Sequence, residues 1–200
     1  LTPFLEALKR IGVEPRLLPN LEAYQAGKFS HAARVACDDP AAVREIIERV
    51  SSRELPEDWF PWQPLDSKGS LDGVAITGYE YPHVHWTDAH GVSGSSNIEK
   101  GEGKLPWRLD WPAKWGFNGI TCEPFGKDHG AAGGSYDTGK EIAVLFGHEP
   151  PAPLTYEWIS LRGQGAMSSS SGTTVGPIEA LNLVPPEILR YLIASTKPAK

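Results

Sequence analysis

The sequence predicts a mixed α/β fold, and three features of its second half carry the prediction. Residues 120–125 and 154–161 are short β-type runs, and each is followed by a Gly- or Ser-rich loop. A helical pattern comes after each loop, first near residues 142–146 and then from Pro186 onward. Strands that alternate with loops and helices are typical of a parallel sheet covered by helices.

Length and composition limit the class of protein. The chain has 200 residues, a formal net charge of −6, 21 glycines and 18 prolines. This length is typical of one domain or slightly more, and no apolar run is long enough for a transmembrane helix. The negative charge predicts only weak nucleic-acid binding by this chain alone. Two cysteines, Cys37 and Cys122, are too few for a disulfide framework, which favours a reducing, cytoplasmic location.

Residues 1–53 are predicted to be helical. Asp39 followed by Pro40 is the pattern of an N-cap and a first helical residue. Behind this start, apolar side chains recur at helical spacing: Val43, Ile46, Ile47 and Val50. Such a pattern predicts a packed helical layer without chemistry of its own.

Residues 54–103 have a different character. Prolines alternate with aromatic residues at first, which predicts an extended connection, and residues 74–86 then have the composition of strands. Residues 90–103 are rich in Gly and Ser and are predicted to be a loop. His83 and His85 fall on one strand face, because successive side chains alternate. Such a pair can bind a metal, but a solvated or hydrogen-bonded pair is the more common outcome.

The segment from residue 123 to residue 135 contains the residue types best suited to ligand binding. It follows a predicted strand, and ligands of parallel sheets bind beyond the carboxyl ends of strands. Gly126 permits close backbone approach, Asp128 can accept hydrogen bonds from a ribose, and His129 can hold a polar group. The helix after Gly133-Gly134 would present N–H groups to an anion. A turn with a hydrogen-bonded histidine is the alternative.

Two further segments are ambiguous from the residues alone. Trp107, Trp111 and Trp115 lie within nine residues, and such a cluster forms either core or the wall of a pocket. Met167 precedes four serines, and a serine run is ordinarily a solvated linker.

Taken together, these segments resemble the class I lysyl-tRNA synthetase family. The resemblance lies, in order, in KLPWRLDWPAKW (104–115), CEPFGKDH (122–129), GGSYDT (133–138), Tyr156-Glu157, the loop from Met167, and PEILRYL (186–192). It is strong from residue 104 to residue 200, and weaker but continuous before that.

The resemblance implies a fold and an activity. The fold is the second half of a Rossmann-type class I synthetase catalytic domain with an inserted helical and β-hairpin region. Residues 1–53 would be the helical part of the insertion, 54–103 a degenerate zinc-ribbon-like hairpin region, and 104–200 the Rossmann half with its phosphate loop. The implied activity is that of a lysine–tRNA ligase. Its partners in the full-length family member are lysine, ATP with substrate-associated Mg²⁺, and tRNA(Lys).

The resemblance also implies roles for individual residues. Three match an aromatic-walled lysine pocket: Trp107, His129 and Tyr156. Gly126 and Asp128 match the motif at the adenosine ribose, and the helix start at Gly133 and Gly134 is assigned to the same ATP site. Four match the catalytic loop over the ATP phosphates: Met167, Ser168, Ser169 and Ser170.

Departures from the family pattern bear on activity. Ala166 and Ser171 replace two lysines of the phosphate loop, and loss of even one preorganised donor typically costs ~10²–10³ in rate. The family's N-terminal His-Ile-Gly-His-like signature and its C-terminal anticodon-binding helices would lie outside this chain, which indicates a fragment. The alternative is an inactive synthetase-like paralogue that binds lysine, an adenylate or a protein partner.

The zinc-ribbon positions of the family are also changed. They correspond to Leu65, Lys68, Thr87 and His90, and only His90 can ligate a metal. A ribbon site needs four N or S ligands. We therefore expect no structural zinc and no other metal site.

Overall fold

The computed structural model describes residues 2–161, 163, 165–167, 172 and 174–196. The chain forms two compact units. The larger unit comprises Pro19–Glu123 and Asp128–Pro153. The smaller unit comprises Leu1–Leu18, Pro124–Lys127 and Leu154–Lys200. In the described residues no helix has both the length and the apolar character that crossing a membrane requires.

Short helices and strands follow one another along the whole chain. The helices are α1 (Thr2–Arg10), α2 (Asn20–Gln25), α3 (Ser30–Asp38), α4 (Pro40–Ser51), α5 (Trp107–Asn118), α6 (Ser135–Leu145), α7 (Pro177–Leu183) and α8 (Pro186–Ser195). The strands are β1 (Gln63–Pro64), β2 (Val74–Glu80), β3 (His83–Asp88), β4 (Ser93–Asn97), β5 (Gly103–Lys104), β6 (Cys122–Gly126), β7 (Ala152–Tyr156), β8 (Ser160–Leu161) and β9 (Gly165–Ala166). The fold is mixed α/β, as the sequence predicts.

The start of α4 is confirmed in detail. The side chain of Asp39 accepts a hydrogen bond from the backbone N–H of Ala42, with N and Oδ1 3.0 Å apart, and Pro40 is the first helical residue. Val43 and Ile47 are buried on the inner face of the helix. Helix α4 therefore forms where a polar cap and an apolar stripe agree on the same segment.

Strands β2, β3 and β4 form an antiparallel sheet in that order. The prediction of a loop over residues 90–103 is wrong, because β4 pairs with β3 from His83–Asn97 to Thr87–Ser93. Gly94 lets the ring of Trp86 lie across β4, since a Cβ at Gly94 would be 2.4 Å from that ring. Backbone pairing and this packing override the low strand propensity of the sequence Ser-Gly-Ser-Ser-Asn.

The core of the larger unit joins its helices to β2 and β3 of this sheet. It is built mainly from α3, α4, α5 and α6, with Trp62 packed among them. The indole N–H of Trp62 donates to Oγ of Ser96, 2.9 Å away. The hydroxyl of Tyr24 donates to Oδ1 of Asp110, 2.7 Å away, and accepts from the N–H of Leu105, 3.2 Å away. Each buried polar group named here therefore has a partner.

Strands β6 and β7 form a pair joined through α6. Their backbone contacts advance in the same direction along both strands, from Ala152 N to Thr121 O (2.9 Å) to Lys127 N to Tyr156 O (3.0 Å). The pair is therefore parallel, as predicted for the second half. The predicted strand over 154–161 is divided, since β7 ends at Tyr156 and β8 pairs with β9 in a separate antiparallel ladder. The loop prediction for 163–172 is wrong where β9 forms.

The smaller unit contains helices from both the N-terminal and the C-terminal parts of the chain. Helix α1 packs against α7, and an Nη2 group of Arg10 donates to the carbonyl of Leu181, 3.1 Å away. Helix α8 starts at Pro186, as predicted, and Arg190 donates to the carbonyl of Ile11 at 3.3 Å. Helix α7 has no counterpart in the sequence prediction. Its start is marked by Glu179, whose carboxylate accepts from the N–H of Gly176 at 3.3 Å.

Candidate functional site

Three tryptophans lie on one face of α5, because a spacing of four residues is close to one helical turn. Their exposure falls along the helix: Trp107 is 49% exposed, Trp111 8% and Trp115 1%. Trp107 stacks on Trp111, with ring centroids 5.1 Å apart and planes 16° from parallel. The row therefore runs from the surface into the core. Trp111 and Trp115 are core residues, whereas Trp107 is exposed enough to form the wall of a pocket.

His129 closes the exposed end of this row. Its ring centroid lies 5.9 Å from that of Trp107 and 5.7 Å from that of Trp111. Its Nε2 is 3.8 Å from Oδ2 of Asp128, and its Nδ1 is 3.5 Å from Oγ of Ser135. The structure thus brings together two of the residues assigned to the lysine pocket, Trp107 and His129.

A cavity of about 500 Å³ opens beside this pair. The residues that line it come from the end of α4, the start of α5 and the loop before α6: Ser51, Arg53, Trp107, Arg108, Asp128, His129 and Ala131 to Ser135. The volume suits a small ligand or one portion of a larger one. The lining offers an aromatic face, a carboxylate and two guanidinium groups, so it can accommodate groups of both charges.

The loop between His129 and α6 requires glycine at two positions. Gly133 has a φ of +72°, and a Cβ there would lie 2.8 Å from the carbonyl oxygen of Val50. A Cβ on Gly134 would lie 2.5 Å from the carbonyl oxygen of His129. Both N–H groups donate within the loop, Gly133 to Oδ2 of Asp137 at 3.0 Å and Gly134 to the carbonyl of Ala131 at 2.7 Å. These glycines shape the cavity wall, and their assignment to ATP stays a prediction.

Asp137 fastens that loop to the first turn of α6. Its carboxylate accepts the Gly133 N–H and pairs with Nζ of Lys140, 2.9 Å away. The hydrogen bond from Lys140 is the larger influence and the Gly133 N–H a smaller one, and both hold the pKa of Asp137 below its ordinary value of 3.8. The carboxylate is therefore charged at neutral pH and acts as a permanent acceptor for the loop.

Two arginines of the cavity were missed by the sequence analysis. Nη1 of Arg108 donates to Oγ1 of the buried Thr138, 2.9 Å away. Burial, and secondarily the charge of Arg53, lower the pKa of Arg108. In the described part of the chain neither arginine forms an ion pair with a carboxylate. No local pattern marks these positions, because Arg53 follows a helix end and Arg108 lies between tryptophans in the sequence.

The remaining predicted site residues belong to the smaller unit. Gly126 ends β6 and is buried, and Tyr156 ends β7 and is 51% exposed. Next to them, Nζ of Lys127 lies 2.6 Å from a carboxylate oxygen of Glu157 and 5.1 Å from the ring centre of Trp158. The N–H of Met167 donates to the carbonyl of Ile159 at 2.9 Å. Ser168 to Ser171 lie outside the described residues.

The positions of the family's zinc ribbon lie in turns and on β3. Leu65 and Lys68 border a turn in which Asp66 accepts backbone N–H groups, and the hydroxyls of Thr87 and Ser93 are 2.9 Å apart. Across the described part of the chain, no three His, Cys, Asp or Glu side chains are grouped so that they could hold a metal ion. The expectation of no structural zinc stays a prediction.

Comparison with known proteins places the chain in a family. The family described as tRNA synthetases class I (K) matches residues 1–200. The lysine–tRNA ligase of Methanosarcina barkeri is 48% identical over 204 residues, which is 100% of this chain and 38% of the relative. Those of Thermoplasma acidophilum and Archaeoglobus fulgidus are each 42% identical over 202 residues, which cover 40% and 41% of the relatives. The chain spans about two fifths of the length of these relatives. On these matches, the chain belongs to the class I lysyl-tRNA synthetase family.

Proposed function

We propose that this chain is part of the catalytic domain of a lysine–tRNA ligase, with the Rossmann half and the inserted region that the resemblance implies. The full-length protein would activate lysine with ATP in the cytoplasm and transfer it to tRNA(Lys). The observation that carries the proposal is the Trp107–His129 pair beside a cavity of about 500 Å³, in a chain that matches the family along its whole length.

The larger unit supplies groups that suit the two ends of lysine. The exposed face of Trp107 can receive the ammonium group, an interaction of about 0.5–2 kcal/mol. His129 stands at the edge of the same ring and offers a polar nitrogen. The assignment of Tyr156 to the lysine pocket rests on the family resemblance alone. The alkyl chain of lysine would then lie along aromatic surface while its charged end is held by rings.

Activation requires that the lysine carboxylate attack the α-phosphate of ATP in line with the departing pyrophosphate. This step depends mainly on positioning and on donors aimed at the charge that develops. Asp128, 52% exposed at its side chain, is free to accept hydrogen bonds from the ribose hydroxyls. The loop that begins at Met167 would cover the phosphates, and Mg²⁺ would arrive with the ATP.

A second candidate function is supported by one specific observation. Ala166 and Ser171 stand where the family has lysines, so the phosphate loop lacks two cations. A synthetase-like paralogue without ligase activity would keep the lysine pocket and lose this loop. It would bind lysine or an adenylate without consuming ATP.

Calorimetry with lysine tests the pocket, and lysine-dependent exchange of pyrophosphate into ATP separates the two functions. We expect weak lysine binding by the 200-residue chain. Trp107→Ala should weaken it about 2- to 30-fold, the equivalent of the cation–π energy. Trp158→Ala, which removes a tryptophan of similar exposure from the smaller unit, is the control.

The outcomes separate the candidates clearly. Exchange by the full-length gene product supports the ligase, and lysine binding without exchange supports the paralogue. Absence of lysine binding by both the 200-residue chain and the full-length product contradicts both. The 200-residue chain itself should bind lysine without exchange, because the loop cations are absent.

A further inference from the structure

The arginines of the larger unit divide into two groups. Three of them form ion pairs with carboxylates: Arg34 with Asp38, Arg44 with Glu48, and Arg49 with Glu45 and Glu141. Arg53 and Arg108 have no such partner in the described part of the chain, and both line the cavity beside Trp107. Guanidinium groups that face a cavity without a carboxylate partner are available to an anionic ligand.

The fold holds these two charges close to one another. Arg53 lies just beyond α4, after Ser52 turns the chain with a φ of 52°, and Arg108 is the second residue of α5. The burial of Arg108, and secondarily the charge of Arg53, lower the pKa of Arg108. Like charges held together are costly in an empty cavity, and an anion between them removes that cost.

The rest of the lining agrees with an anion, with one exception. Ser135 adds a hydroxyl group, whereas the hydroxyl of Ser51 donates to the carbonyl of Ile47 at 2.6 Å. One N–H of Arg108 is used by Thr138, which leaves the others free. Asp128 also lines the cavity and repels an anion, but one carboxylate against two guanidinium groups leaves a net charge of +1. The N–H groups of Gly133 and Gly134 donate within the loop, so the arginines are the main source of attraction.

We infer that Arg53 and Arg108 form a subsite that binds a phosphate group of a nucleotide ligand, beside the Trp107–His129 pair. A guanidinium fork binds two oxygens of a carboxylate or a phosphate, and a phosphate has a further oxygen that a second arginine can bind. The inference rests on the proposed function for the nature of the nucleotide, since both ATP and the 3′ end of tRNA bring phosphate to such a site.

Calorimetric titration of the 200-residue chain with pyrophosphate at low salt tests the subsite. Arg53→Gln and Arg108→Gln should each weaken binding about tenfold or more, as expected for loss of a charged hydrogen-bonding partner. Arg34→Gln, which removes the same charge from an exposed pair outside the cavity, should change it less than about twofold. Arg108→Lys should fall between, because it keeps the charge and loses the fork.

Two results would overturn the subsite: no pyrophosphate binding by the unmodified chain, or equal weakening in Arg34→Gln and the cavity variants. Arg53 is exposed, so we expect Arg53→Gln to fold. This variant tests the phosphate subsite even if Arg108→Gln does not fold. Thermal unfolding of each variant shows whether it is folded.

Titrations with ATP and with a short single-stranded RNA that ends in CCA identify the source of the phosphate. If the cavity variants weaken only ATP binding, the phosphate belongs to ATP. If they weaken only RNA binding, it belongs to the tRNA end. If neither changes while both bind, the subsite is contradicted.

Lysine titration of the same samples separates this inference from the proposed function. Normal lysine binding with no phosphate binding refutes the subsite and leaves the function. Phosphate binding that depends on Arg53, without lysine binding, supports the subsite and refutes the lysine pocket.

Discussion

The hydroxyl of Tyr24 has two buried hydrogen bonds, and its removal should cost more than removal of a comparable exposed hydroxyl. Tyr24 is 4% exposed. Its hydroxyl donates to Asp110, 2.7 Å away, and accepts from the N–H of Leu105, 3.2 Å away. Burial, and then the charge of Asp110, raise the pKa of Tyr24. The hydroxyl therefore stays protonated and acts as a permanent donor to the carboxylate.

Tyr24→Phe keeps the ring and removes both bonds. A hydrogen bond to a charged group is worth about 1.5–3 kcal/mol, and leaving the Leu105 N–H without a partner costs about 1–3 kcal/mol. Lys114 still pairs with Asp110, so the carboxylate keeps a charged partner in the variant. We expect the free energy of unfolding to fall by about 3–5 kcal/mol. With a urea m-value of about 2 kcal/mol/M, the midpoint moves by about 1.5–2.5 M.

Urea titration followed by tryptophan fluorescence measures this change well, because six of the seven tryptophans lie in the larger unit. Tyr79→Phe is the matched control. Its hydroxyl donates to a carboxylate oxygen of Asp38 at 2.6 Å, but that pair is exposed. The control should lose only about 0.5–1 kcal/mol. Equal losses in the two variants, or a loss below about 1 kcal/mol in Tyr24→Phe, would refute the reasoning.

Two further predictions concern the glycine loop and the half-buried His148. Gly133→Ala should destabilise the chain by about 2–4 kcal/mol, from the left-handed backbone and the contact with Val50. Gly69→Ala, which has a φ of +79° and open space around it, should cost only about 1 kcal/mol, and a similar cost in both would contradict the role of the contact. Burial lowers the pKa of His148 below its ordinary 6.5, so the unfolded state takes up the proton first as the pH falls. Stability should therefore decline as the pH drops below about 6.5, and His148→Gln should remove that part of the decline, which denaturation at a series of pH values would measure.

The parts of the fold that were predictable are those in which local chemistry and packing agree. The start of α4 follows from Asp39 and Pro40, which act on their own neighbours whatever surrounds them. Strand β4 could not be predicted, because its pairing with β3 and the ring of Trp86 over Gly94 are contacts between separate segments. Helix α7 was missed for a different reason: it has only 7 residues, so its apolar side chains span too few turns to give a clear helical period.

The candidate site was also predictable only in part from the sequence. Resemblance to a family indicated Trp107 and His129, and the structure places their rings 5.9 Å apart. Arg53 and Arg108 lie 55 positions apart in the sequence, and charged residues are common on surfaces, so neither was predicted as a site residue. Their shared cavity and missing carboxylate partners are properties of the folded chain. The sequence therefore indicated the aromatic residues of the cavity but not its two arginines.

The pairing of α1 with α7 has a consequence during protein synthesis. The bond from Arg10 to Leu181 joins residues that are 171 positions apart. Ribosomes add about 5–20 residues per second, so α1 waits about 10–30 s before its partner has been made. During that interval α1 has no native neighbour in α7 to pack against. Helix α1 therefore leaves the ribosome well before the helix it packs against, and its amphipathic face is a natural binding surface for chaperones until then.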